Sequence, residues 1–264
     1  MVDLGRVRAV MLGHFFTLKH SPLRIMELVY WPLLEVVLWG FLTNYLRQQD
    51  AKLVGGVGIL VGAIVLWDLC FRTQQELAMT QLLGMWDRSQ VNLFASPIRM
   101  SEEVMGSMLF SLIRVLIGSC MLVLFARIGF RFDVLTTGAV LLPGCLALVG
   151  FGWSMGLLIR AGVLRFGSNA EVLAWSLSSL VQPVAAVFYP VRSLPGWLQP
   201  ISRALPPAHV FESVRAFLAR GEVHWSELAL AGVLDVVYLV AASRLLVLSY
   251  RAVRVRGLLS RPGY

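Results

Sequence analysis

Residues Val187 to Arg215 read VFYPVRSLPGWLQPISRALPPAHVFESVR, a run dense in Pro, Trp and Phe set between two long apolar stretches. Pro190, Pro195, Pro200, Pro206 and Pro207 deny the backbone one continuous helix, since each fixes φ and removes an amide donor. Trp197, Leu198, Ile201, Leu205 and Phe211 are nevertheless too apolar for a loop in water. The segment is therefore predicted to dip into a membrane surface or lie on it. Within it, Pro206 and Pro207 suit a helix start and Gly221 suits its stop. Val210, Phe211, Val214, Phe217 and Leu218 then share one apolar face, and Glu212 and Arg215 form an i,i+3 pair on the other.

The rest of the chain agrees with a membrane setting. Of 264 residues, 58% are apolar and only 14% charged, against roughly 25% charged in an ordinary soluble domain. The net charge of +8 does not point to nucleic acid, because the arginines sit at the ends of apolar runs and form no basic stripe interleaved with aromatics. Six stretches are long enough to cross an apolar layer about 30 Å thick at 1.5 Å per residue. They are Met26 to Leu46, Leu53 to Phe71, Val104 to Ala126, Val134 to Ile159, Val172 to Phe188 and Leu228 to Ser249. The fold class predicted is all-α and polytopic, with both termini on one side. That side carries 13 of the Lys and Arg residues flanking the spans and the other carries 8, so both termini are expected in the cytoplasm.

Ahead of the first span, Leu4, Val7, Met11, Phe15 and Leu18 recur at helical spacing, which predicts an interfacial helix with that face in lipid. After the second span, RTQQELAMTQLLGMW continues helical and is expected to break near Gly84. A short helical element between Trp86 and Ala95 follows, and Pro97 ends regular structure. Ser101 is expected to cap the next helix, with Glu102 and Glu103 in its first turn.

Chemical motifs are few. Gly152-Trp153-Ser154-Met155-Gly156 has the G-x-S-x-G pattern of a hydrolase nucleophile elbow, but it lies inside an apolar span with no preceding strand and no histidine in any span. The same residues read as G-x-x-x-G, as do Gly58 and Gly62, a spacing that lets helices pack closely. Cys70, Cys120 and Cys145 lack ligand spacing and read as small buried apolar residues. No phosphate-binding loop, HExxH or EF-hand sequence occurs, so neither an ATP site nor a metal site is predicted. Among ionisable residues near the spans, Glu27, Asp68 and Asp235 are placed to snorkel to the interface. Glu35 and Arg114 lie deeper, where they either pair across the first and third spans or line a polar path.

On these residues the chain resembles the permeases of the type-2 ATP-binding-cassette exporter family. FYPVRSLPGWLQPISRALPPAHVFESVR is similar to the segment before the last span in that family, and LLGMWDRSQVNLFASPIRMSEEVMG to its connection between the second and third spans, including Ser96, Pro97 and Ile98. The usual acidic-Gly-Thr pattern before this connection is replaced by Met85-Trp86-Asp87-Arg88-Ser89.

The resemblance implies a single permease domain in the inner (plasma) membrane, with an interfacial helix over 1–25, a cytoplasmic coupling connection over 72–103 and an external re-entrant segment over 189–225. It also implies a homodimer, or a heterodimer with a similar permease, in contact with lipid and with two copies of a separate ATPase that carries the ATP and Mg. Trp86, Asp87, Arg88 and Asn92 would contact that ATPase. Phe188, Tyr189, Pro190, Pro195 and Trp197 would form an external gate together with Pro206, Pro207, Phe211, Glu212 and Arg215. The cargo would be an amphipathic, lipid-like, drug or saccharide molecule. An intramembrane enzyme using Ser154 or the Glu35 and Arg114 pair, and a membrane assembly factor that does not transport, are the alternatives.

Overall fold

Alanine, leucine and valine fill the long apolar runs, and every described element longer than four residues is an α-helix. In a computed structural model the described residues are 3–49, 53–86, 96–130 and 138–255; at some of these, Glu35 among them, only the backbone is described. The helices are α1 (Leu4–Lys19), α2 (Pro22–Gln49), α3 (Leu53–Trp86), α4 (Met100–Phe130), α5 (Gly138–Phe166), α6 (Glu171–Val184), α7 (Gln199–Arg203), α8 (Pro206–Arg220) and α9 (Trp225–Val255). Among the described residues, three segments are long and apolar enough to cross a membrane: Met100–Phe125, Leu142–Phe166 and Trp225–Val255. Together they make the chain a multi-pass membrane protein. The stretch expected as a fifth span is shorter than drawn, since the 14 residues of α6 reach only about 21 Å. It ends at Pro183 and Val184, and Ala186 turns the chain with a φ of 53°.

α5 packs along both α3 and α9 and carries the core. The G-x-x-x-G reading holds at Gly152 and Gly156. A Cβ on Gly152 would lie 2.6 Å from the Cys70 carbonyl oxygen, and one on Gly156 would lie 2.7 Å from Leu77 Cβ. Only glycine lets these two backbones meet so closely. Ser154, between them, is fully buried and its hydroxyl donates to the Gly150 carbonyl at 3.0 Å, a bond within its own helix. Gly62 differs from the expectation: an added Cβ there meets nothing within 4 Å, so it marks no close approach among the described residues. At Gly58 only the helical backbone is described.

Several local expectations are corrected. α3 runs through Gly84 to Trp86 without a break, because a single glycine costs a helix only about 1 kcal/mol and Leu82 on that turn is fully buried. α4 starts two residues earlier than expected, so Ser101 lies in its first turn and Arg99 takes the capping position. Glu102 then returns its carboxylate to the Arg99 amide at 2.9 Å, the acidic half of a capping box. α1 buries Val7 and Val10 against α4, where Gly106 makes room, while Leu4 and Phe15 of the expected stripe are exposed with Leu12 and Phe16. α1 thus has two apolar faces, one packed on protein and one exposed. Cys70 is buried and Cys145 half-buried as expected, but Cys120 is exposed on the outer surface of α4.

Candidate functional site

The Pro-rich run folds onto α8 and is pinned there by Glu212 and Arg215 of that helix. Leu205 is the N-cap residue of α8, Pro206 and Pro207 occupy its first positions, and Gly221 ends it with a φ of 72°. Of the apolar face, Val210, Phe211 and Val214 are buried, Phe217 is half-buried and Leu218 is exposed. Phe211 reaches the Trp67 ring of α3 at a centroid distance of 6.5 Å and packs in the core.

On the other face, Glu212 Oε1 accepts from the Val191 amide at 2.7 Å and lies 3.3 Å from Arg215 Nη2. Arg215 Nη1 donates to the Ala186 carbonyl at 2.9 Å and to that of Val187 at 3.3 Å. Burial lowers the Arg215 pKa from its ordinary value and Glu212 opposes that shift.

The rest of the run is held by its own polar groups. Tyr189 donates its hydroxyl hydrogen to the Pro183 carbonyl at 2.7 Å, which also accepts from the Ala186 amide at 3.3 Å in the turn that ends α6. The Gln199 side-chain amide donates to the Leu194 carbonyl at 2.9 Å. Sequence reasoning missed His209, whose ring nitrogens lie 2.6 Å from Glu227 Oε2 and 2.7 Å from the Arg203 carbonyl oxygen, tying α8 to α7 and to the start of α9. Its position just after Pro206-Pro207, in the first turn of a helix, was the available signal. Phe188, Pro195 and Trp197 face outward, Trp197 at 72% exposure, and Tyr189 and Pro190 are half-buried.

At the opposite end of α5 a second polar cluster ties α1 to the bundle. Arg160, almost fully buried, donates from Nη2 to Glu103 Oε1 at 2.6 Å and from Nε to Gln81 Oε1 at 3.1 Å. Ser107 donates to the same Glu103 oxygen at 2.9 Å, and His14 Nε2 lies 3.2 Å from the Ser107 hydroxyl. Burial holds the His14 imidazole below its ordinary value, with Glu103 opposing and Arg160 adding to the shift. At the start of α1, Arg6 donates to the Pro97 carbonyl at 2.7 Å, and the Asp3 amide donates to Glu102 at 3.1 Å. The N-terminal helix is thereby fastened to the residues that lead into α4.

Arg114 pairs with Glu76 of α3, its Nη1 lying 2.6 Å and 2.5 Å from the two carboxylate oxygens. Sequence reasoning missed Glu76, which lies on the helical extension beyond Phe71 and so outside the apolar stretch in which partners for Arg114 were sought. The Glu35 side chain lies outside the described residues. Asp68 pairs with Arg72 one turn along the same helix, and Glu27 is exposed. Asp235 does not snorkel: it is 6% exposed, inside the bundle. Trp86 closes α3 and is 48% exposed, whereas Asp87, Arg88 and Asn92 lie outside the described residues.

A family model described as ABC-2 type transporter matches residues 21–218, from the start of α2 through the Pro-rich run and most of α8. The chain belongs to that family. It is 29% identical over 168 residues to "ABC transporter G family member 20" of Dictyostelium discoideum, covering 63% of this chain and 22% of that protein. It is 24% identical over 207 residues to "Daunorubicin resistance ABC transporter permease protein DrrB1" of Streptomyces coeruleorubidus, covering 76% of this chain and 70% of that one. This member of the ABC-2 family thus spans under a quarter of the first relative and more than two thirds of the second.

Proposed function

We infer that this chain is the permease subunit of an ATP-driven exporter, working as one transmembrane domain with both termini in the cytoplasm of a cell with an inner (plasma) membrane. The observation that carries the reading is the family match over 21–218, which takes in the Pro-rich segment that Glu212 and Arg215 pin to α8. Six spans are built from α2, α3, α4, α5, α6 with the turn after it, and α9. A second copy, or a similar permease, completes the pathway between protomers, and two copies of a separate ATPase bring the ATP and Mg.

The residues present suit a pathway for an amphipathic cargo. Trp197 and Phe188 offer apolar surface at the outer end, and pinned carbonyls and Arg215 supply a small number of oriented polar groups behind them. One relative carries daunorubicin resistance in its name, which favours a drug-like or lipid-like cargo over a long saccharide.

The test is reconstitution. Purified alone in lipid, this chain should hydrolyse no ATP, and with its partner ATPase it should support hydrolysis that changes with cargo. ATP hydrolysis by this polypeptide alone would sink the proposal. Topology is checked by thiol labelling in a cysteine-free background: a cysteine at the exposed Ser193 should react only from outside and one at Ser260 only from inside.

A further inference from the structure

Asp235 sits roughly 15 Å along α9 from Trp225, well inside one of the three membrane-crossing segments. Its carboxyl lies against Gly150 in α5. A Cβ on that glycine would come within 3.1 Å of Asp235 Oδ2 and 3.3 Å of Cγ, so the seam has room for the carboxyl and for nothing larger beside it. Oδ1 is buried and receives no hydrogen bond among the described residues, and no basic side chain pairs with Asp235 among them.

The surroundings offer no compensation. From α3 the titratable group that interacts electrostatically with Asp235 is the Cys70 thiol, itself fully buried. α5 presents Gly150, whose carbonyl already accepts from Ser154 one turn on. On α9 itself, Tyr238 stands one turn beyond, its ring edge-on to Phe151 at 5.6 Å. Ala231 and Leu228, one and two turns before Asp235, are buried in the apolar core. A bare carboxylate held there would find no donor among the described residues to offset its burial. A metal cation would need several oxygen ligands, and the described seam offers only this one carboxyl.

We propose that Asp235 is an intramembrane proton-binding site: its carboxyl carries a proton while α5 and α9 are closed on it, and releases the proton when that seam opens to water. The proton leaves as hydronium into the entering water and the carboxylate remains on α9. Closure is then favoured by acid and opening by base. The site needs only that α9 crosses the membrane, and it stands or falls independently of any ATPase partner.

The experiment is infrared difference spectroscopy on the full chain in lipid, wild type against Asp235→Asn. At neutral pH the wild type should show a protonated-carboxyl C=O band that is missing from the variant, fades as pH is raised, and does not change when sodium is exchanged for choline. Labelling aspartate carboxyls with 13C should move the same band in the wild-type protein, so the assignment does not depend on the variant folding. Carboxylate bands at neutral pH in place of the C=O band, or a band that follows sodium, overturn the proposal. Hydrogen exchange reads the linkage: amide protection around Asp235 should fall by up to tenfold per pH unit, the limit for one linked proton, and stay flat in Asp235→Asn. Equal pH dependence in both proteins overturns it as well.

Discussion

Arg215 Nη1 donates to the carbonyl of Ala186 at 2.9 Å, at the residue whose φ of 53° turns the chain out of α6 and into the Pro-rich run. A non-glycine residue in that region is strained, and it persists where its surroundings hold it. The guanidinium is one such hold, because it satisfies a carbonyl that the turn has removed from helical bonding. Replacing Arg215 with Ala should cost about 1.5–3 kcal/mol, the usual worth of a hydrogen bond to a charged group. It should also raise amide exchange across 186–194 more than elsewhere. Export should fall, and Arg215→Lys should recover only part of it, since an ammonium cannot reproduce the planar fork. Exchange in 186–194 that matches wild type would show that Arg215 does not hold the turn.

The seam between α3 and α5 makes a second prediction. Gly152 and Gly156 face Cys70, Thr73, Gln74 and Leu77 at distances where any Cβ collides with backbone or with the root of a side chain. Gly152→Val should force α3 and α5 apart and destabilise by more than the 1–3 kcal/mol of ordinary overpacking, because backbone cannot step aside. Ser154→Ala, by contrast, removes a hydroxyl bonded within its own helix and should leave both fold and export near wild type. Thermal unfolding in detergent, with a transport assay alongside, separates the two, and loss of function in Ser154→Ala with an intact fold would revive a chemical role for that serine.

These particulars show what could be read from the chain alone. The limits of α8 were legible because Pro-Pro and Gly act through local backbone geometry, and the Glu212 and Arg215 pair was legible as an i,i+3 spacing. What those two side chains grip was not, since Val191 and Ala186 come near only through the fold of the prolines. The same holds for Arg114: the helical extension that carries Glu76 was legible, but spacing within α3 and α4 does not reveal that these two side chains face each other. Asp235 was misplaced because distance from a predicted boundary says nothing about whether a side chain faces lipid or a neighbouring helix. In α1, Val7 of the expected stripe turns toward α4 for a related reason, as helical spacing does not tell a face that meets protein from one that is exposed.

His14 gives the chain a pH-dependent fastening at the opposite end. Its imidazole lies between Ser107 and the Phe110 ring, the latter at 5.4 Å, and burial keeps it below its ordinary value of 6.5. The folded form therefore binds this proton less readily than the unfolded one, and its contribution is complete above about pH 6.5 and lost as the pH falls below that value. Acidification of the medium around α1 should loosen that helix from α4, seen as faster amide exchange over 7–18. His14→Gln keeps a hydrogen-bonding group without the titration and should flatten the response. A variant that still loosens with acid would assign the effect to another group.

Trp86 ends a helix that is unbroken from the Gly152 and Gly156 seam to its last residue, so a push on this indole acts on a rod rather than on a hinge. The ring is 48% exposed although the preceding turn buries Leu82 completely. An exposed tryptophan at the tip of such a rod suits a pocket on a partner ATPase, and buried aromatic anchors of this kind are worth about 2 kcal/mol or more, roughly 30-fold in affinity. Trp86→Ala should therefore reduce co-purification of the ATPase by that order and abolish cargo-dependent hydrolysis, while the permease remains inserted and thermally stable. Reversing the charges at Asp87 and Arg88 should weaken the complex further and make it salt-sensitive. If Trp86→Ala binds the ATPase as wild type does and still exports, the indole is an interfacial anchor in the lipid headgroups, and force must enter α3 elsewhere.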